Sequence, residues 1–260
     1  MCRLLNLEIR VKSDEINYNE EEFFSNEQEL IEDYLCTLYL NGQIYSDYNL
    51  VNIEQHKYQA FVNVPNLESL SEKYNNEYVN RSYKHLVVQI KEMGKNILYY
   101  PNCNCEDVPY YILFCTSETG TSSPVICGKC GNEVPLYKVP YLFSEEEHFT
   151  LINYQKTYAG VHELYMQSLS DRFTKNQLLN PDSSLNKMAF EIREELENKI
   201  KKPVYLSLSR VFFDHKNDCK KIDSDKCPKC GKTLVVCDYQ FNFVKMFKCD
   251  ECRLITDKLN

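Results

Sequence analysis

Two Cys-x-x-Cys pairs near the end of the chain, Cys227/Cys230 and Cys249/Cys252, restrict its folding more than any other feature. Eighteen residues separate them, the spacing at which two tight turns meet at one end of a β-hairpin and offer four sulfurs to one tetrahedral ion. Gly231 supplies the positive φ that such a turn needs on its way into a strand. Residues 232–237 and 242–248 are rich in Val, Phe and Thr and predict two strands joined at Asp238-Tyr239-Gln240. The reading is a C-terminal zinc ribbon.

Cys127-Gly128-Lys129-Cys130-Gly131 repeats the same turn upstream. Its complement is Cys103 and Cys105, a less regular Cys-x-Cys pair, with Cys115 as a substitute ligand. The chain is therefore expected to hold two Zn2+ ions, both structural, because four thiolates leave no open position for water. The five histidines, His56, His85, His148, His162 and His215, form no His-x-x-x-His or His-x-Glu pattern, and His162-Glu163 reads as a surface pair. No phosphate loop or nucleophile elbow is found. Cys36, Cys115 and Cys237 lie in apolar patterns that favour buried, inert thiols over nucleophiles. The expectation is a protein that is not an enzyme.

With 260 residues and 43% hydrophobic content, the chain is long enough for one large core or two modest ones. No apolar run approaches a membrane span, and the first residues do not resemble a signal peptide. Thirteen cysteines, an odd number mostly in metal-ligand spacing, fit a reducing cytoplasm.

Leu5, Leu7, Ile9 and Val11 alternate with polar residues and predict a first strand. Helical spacing runs from about Asn19 to Leu38 and stops at Asn41-Gly42. Residues 43–48 and 58–64 read as strands. A second helix passes through Tyr83, Leu86, Val87 and Ile90 to a cap at Gly94, before a strand at 96–100. That order, βαββαβ, predicts a ferredoxin-like half over residues 1–102 in an α+β protein. Residues 103–218 read as a zinc-knuckle and helical region, with a strand at 108–116. Ser144 and Glu147 form a capping box for a helix towards Leu169, residues 171–179 a short helix, and Asp182 or Ser183 caps a helix ending before Pro203. A strand follows at 204–208, then a charged linker over 214–225, and residues 219–260 form the ribbon.

Cys127-Gly128-Lys129-Cys130 with Val134-Pro135-Leu136-Tyr137-Lys138-Val139-Pro140, Pro203-Val204-Tyr205-Leu206 after a long helix, and Cys227-Pro228-Lys229-Cys230-Gly231 with Phe247-Lys248-Cys249-Asp250-Glu251-Cys252-Arg253-Leu254 together resemble a bacterial family of zinc-ribbon-containing proteins. The likeness runs from about Val108 to the end. Nucleic-acid binding is attributed to that family from its ribbons, an argument from fold and not from a site.

Two functions follow. In one, Lys229, Lys232, Lys245, Lys248 and Arg253 contact phosphates while Tyr239 and Phe241 at the hairpin tip stack on bases. In the other, the protein binds and blocks another protein, as an immunity protein or antitoxin does to a basic toxin domain. Charge favours the second. The net charge is −8, residues 1–102 carry 9 Lys and Arg against 16 Asp and Glu, and the first helix is acidic at Glu20, Glu21, Glu22, Glu27, Glu29, Glu32 and Asp33.

Overall fold

The structure, a computed structural model, describes residues 2–12, 26–45, 48–115, 122–208, 225–241 and 244–257, with the side chains of 238–241 and 244 excepted. The chain divides into two compact units, Met1–Asn102 with Pro135–Phe149, and Cys103–Val134 with Thr150–Asn260. The sequence pattern divides it instead into three consecutive segments. Among the described residues no helix is long and apolar enough to cross a membrane.

The first unit opens with β1 (Arg3–Val11), α1 (Glu27–Leu40), β2 (Tyr48–Glu54) and β3 (Lys57–Val64), and continues with α2 (Glu77–Tyr83) and β4 (Leu86–Lys95). Its sheet has the order β2-β3-β1-β4 with every pairing antiparallel. The alternation expected of β1 holds: Leu5, Leu7 and Ile9 are fully buried, opposite Val62, Ala60 and Tyr58 of β3. Leu30, Ile31, Tyr34, Leu35 and Leu38 of α1 close the core at helical spacing. Asn26 caps α1 by accepting the Glu29 N–H at 3.0 Å. The expected earlier part of this helix, with Glu20, Glu21 and Glu22, lies outside the described residues.

Three expected elements in this unit differ from the structure. Residues 86–94 are not helical: Leu86, Val87 and Ile90 belong to β4, which pairs with β1 along its length. A short apolar run rich in β-branched residues fits both periods, and the free partner edge of β1 decides between them. Residues 96–100 form a turn, with the Asn96 side chain accepting the Leu98 N–H. Residues 43–45 are not a strand either. Gln43 is fully buried and donates to the Ser69 carbonyl at 2.8 Å and to Asn75 at 3.0 Å. Satisfying that amide holds the segment in a loop, and β2 starts only at Tyr48.

Residues 135–149 return to this unit as a strap. Leu136, Tyr137, Val139 and Leu142 are buried. The Tyr137 hydroxyl pairs with Asn66, the Tyr141 hydroxyl with Asn41, and the His148 N–H donates to the Leu40 carbonyl at 2.8 Å. Ser144 does not cap a helix: Phe143 and Ser144 are left-handed, and the helix begins only at Phe149. The strap holds the capping-box residues in another conformation.

The second unit contains β5 (Tyr111–Leu113), β6 (Val125–Cys127), α3 (Phe149–Met166, whose first residue is assigned to the first unit), α4 (Asp171–Leu179), α5 (Ser184–Ile200), β7 (Val204–Ser207), β8 (Val235–Phe241), β9 (Val244–Cys249) and β10 (Leu254–Asp257). They form one six-stranded sheet, β6-β5-β7-β10-β9-β8, in which β7 runs parallel to both β5 and β10. Ser183 caps α5 as expected, accepting the Asn186 N–H. Ile112, Phe114, Ile126, Tyr205, Cys237, Met246 and Ile255 make one core from strands before and after the linker, whose residues 214–224 are not described. The C-terminal hairpin is thus part of a larger sheet. β8 also runs through 238–240, which the sequence assigns to the turn.

Candidate metal centres

Cys103, Cys105, Cys127 and Cys130 come together with all four sulfurs within 4.8 Å of one another, and so do Cys227, Cys230, Cys249 and Cys252. A tetrahedral ion with bonds of about 2.3 Å needs sulfur–sulfur edges of about 3.8 Å. The Cys230–Cys249 edge is 3.7 Å, far longer than a disulfide, and none of the described cysteines is in a disulfide. Both donor sets fit a metal ion.

The two Cys-x-x-Cys-Gly turns are built alike. Gly131 N–H donates to the Cys127 carbonyl at 2.8 Å, and Gly231 N–H to that of Cys227 at 2.9 Å. The Cys127 N–H returns to Asn132 at 2.9 Å, and the Cys227 N–H to Lys232 at 2.7 Å. Both glycines sit at φ +73°, the left-handed region that lets the chain reverse at once. The turn at Cys249–Cys252 ends in the same region without glycine, at Arg253 with φ 51°. Cys103 and Cys105 need no such turn, because the Cys103 N–H is held by the Glu133 carbonyl at 2.7 Å and the Cys105 N–H points back at the Cys103 sulfur at 3.3 Å.

Backbone N–H groups aimed at sulfur favour thiolate. The Lys232 N–H holds the Cys230 thiol below its ordinary range. Burial pushes Cys127 up, but the N–H groups of Cys130 and Lys129 and the neighbouring thiols outweigh it and leave Cys127 low. Burial and crowding by the other sulfurs push Cys103 and Cys252 up. Four sulfurs this close cannot all ionise alone, and a divalent cation removes that conflict. Cys115 lies outside the first cluster, buried and bonded to Tyr154, so it is not the substitute ligand. Beside that cluster Glu133 is buried, with its carboxyl raised to about 7 by burial against the pull of the Ser122 and Ser123 donors.

The basic residues around the C-terminal cluster are mostly engaged. Lys232 pairs with Glu251, Lys248 with Asp250 at 2.9 Å and Arg253 with Glu197 of α5 at 3.3 Å. The Lys229 ammonium sits 3.5 Å from the centre of the Phe190 ring. Lys245 is exposed. Tyr239 and Phe241 fall at the end of β8, where Phe241 is the last residue of the strand and pairs with Val244 at the start of β9; their side chains lie outside the described ones.

The brace behind this turn is invisible to sequence reasoning. Tyr205 donates to Asp250, Arg253 reaches Glu197 and the Tyr205 hydroxyl, and Glu197 accepts the Val204 N–H at 2.9 Å. Asp250 between two ligands is the only visible hint, since nothing in the sequence pairs it with Tyr205. His162 is not the surface residue expected. It is buried on α3, stacked between Tyr158 and Tyr165, while its neighbour Glu163 pairs with Gln167. Cys237 is buried as expected, whereas Cys36 is exposed on α1.

A family model described as a domain of unknown function, DUF2310, matches residues 105–209, and a second, DUF8589, also a domain of unknown function, matches residues 14–94. The first match takes in three of the four cysteines of the first cluster and stops before the C-terminal one. No curated protein and no solved structure matches the chain.

Proposed function

We propose that the protein is a zinc-stapled binding protein without chemistry of its own, and that its acidic N-terminal unit captures a basic protein, as an immunity protein or antitoxin captures a toxin domain. Zinc is the ion that best suits two closed four-sulfur sites of this geometry. The C-terminal site is then a zinc ribbon built into a larger sheet. The order β2-β3-β1-β4, with one helix in each crossover, supports reading the first unit as ferredoxin-like.

The observation that carries the reading is the partition of charge. The first unit holds 10 Lys and Arg against 19 Asp and Glu, and the second 20 against 19 before its thiolates are counted. Nearly all the net negative charge therefore resides in one unit, where it steers cationic partners and repels nucleic acid. Four of the five basic side chains proposed for phosphate contact face a carboxylate or an aromatic ring instead.

The test is binding of the zinc-loaded protein to pooled single- and double-stranded DNA and RNA across salt, run beside a panel of basic nuclease-type toxin domains. Capture of a toxin domain with loss of its activity, and no nucleic-acid binding at low salt, is the expected result. Micromolar nucleic-acid binding with a steep salt slope, abolished by mutating Lys245, Lys248 and Arg253, would replace this reading with the nucleic-acid one.

A further inference from the structure

We propose that metal in the first cluster tightens docking of the 135–149 strap onto the first unit by shortening the chain that joins them. The first unit is discontinuous: its main segment ends at Asn102 and its strap starts at Pro135, while Cys103–Val134 belongs to the second unit. The cluster ligands stand at the two ends of that excursion. Cys103 directly follows Asn102, and Cys130 precedes Pro135 by five positions.

Without any cross-link, 32 residues separate the two segments. With a metal joining Cys103 to Cys130, the path consists of those two residues and 131–134. The loop-closure cost grows as (3/2)RT ln n, so the closure probability falls as the 3/2 power of length, and shortening the tether from 32 residues to about six favours the docked strap about tenfold. If β5 and β6 stay paired through Tyr111 and Cys127 after metal loss, the path lengthens to about 17 residues and the factor is about fivefold. What remains to hold Cys103 in that state is its bond to the Glu133 carbonyl and its packing beside Val108 and residue 127, both weaker than a metal bond.

The strap has a direct reporter, the His148 N–H bonded to the Leu40 carbonyl, which links it to α1 within the same unit. Hydrogen exchange at this amide is compared in the full chain, in the Cys127→Ser/Cys130→Ser variant and in Cys249→Ser, each confirmed by elemental analysis to hold the expected zinc. The double variant should exchange His148 five- to tenfold faster, with β1 amides at wild-type rates, while Cys249→Ser retaining one zinc should leave His148 unchanged. If the double variant unfolds its second unit, the full 32-residue loop applies and acceleration near tenfold is still required. Wild-type exchange in the double variant, or equal acceleration in both variants, would overturn the proposal.

Discussion

The docking of the strap can be attacked from the other side, at Gly42. This residue follows α1 at φ +74°, and the strap passes directly over it. A methyl group there would lie 2.4 Å from the Leu136 Cβ, 2.7 Å from the Tyr137 nitrogen and 2.8 Å from the Leu136 carbonyl carbon. Two of these three atoms are backbone, so no side-chain rotation relieves the contact. Alanine in the left-handed region costs about 1 kcal/mol. Restoring ordinary contact requires the strap to retreat by about 1 Å, and forced overpacking of this kind adds about 1–3 kcal/mol. Gly42→Ala should therefore destabilise the first unit by about 2–4 kcal/mol. Hydrogen exchange at β1 amides and at His148 reads this directly, with the strap amide the more affected. Gly42→Asn separates the two causes, because asparagine tolerates the left-handed region yet still carries a Cβ. If alanine costs no more than about 1 kcal/mol and asparagine behaves like glycine, only the backbone angle matters and the close-approach argument is refuted.

Cys249→Ser should lower the zinc content from two to one and abolish exchange protection of β9 and β10, with the loss reaching Leu206 because β10 lies between β9 and β7; the β1–β4 amides should be unaffected. Retention of two zinc ions with unchanged protease resistance would contradict the assignment of that cluster. At Arg253, φ 51° favours glycine, so Arg253→Gly should stay within about 1 kcal/mol of wild type despite losing Glu197, whereas Arg253→Val should be about 2 kcal/mol worse than glycine, read from the zinc-chelator midpoint. His148 provides a pH signature. Burial depresses its imidazole to about 4 from the usual 6.5, so in this range the unfolded chain binds the proton and the folded chain does not. Its contribution is complete above pH 6.5 and is lost as pH falls towards 4, up to about 3 kcal/mol. His148→Phe should flatten that part of the first unit's stability profile, and an unchanged slope would show that the histidine does not set it.

Both four-cysteine clusters are legible in the sequence because each contains one Cys-x-x-Cys-Gly turn, whose two sulfurs, glycine and return hydrogen bond are all local. The long helix α5 is legible for the same reason, with its cap at Ser183 and its stop at Pro203 only a few residues from the pattern they bound. The elements that differ share the opposite property. Leu86, Val87 and Ile90 are strand only because β1 offers an edge about 80 residues away, and Gln43 is loop only because Ser69 and Asn75 take its amide. Gly42 reads as a helix stop and is one. Its second role, as floor for the strap, depends on residues 94 positions later and has no local mark.

The same distinction explains why the C-terminal hairpin reads as a separate ribbon. Its ligands are local, so the sequence isolates them; its packing is not, because β10 lies parallel to β7 across a linker that composition alone marks as a boundary. The brace from Tyr205 and Glu197 to the Cys249–Cys252 turn gives that placement a purpose. A two-stranded hairpin with one ion buries little apolar surface of its own. Joined to β7 and anchored by α5, it shares a seven-residue core with the strands around the first cluster. A metal held by the four cysteines would then fix the last strands of a sheet, and not an appended module. For that reason removing Cys249 is expected to reach Leu206, and an isolated peptide of residues 219–260 should bind zinc without acquiring the exchange protection of the full chain.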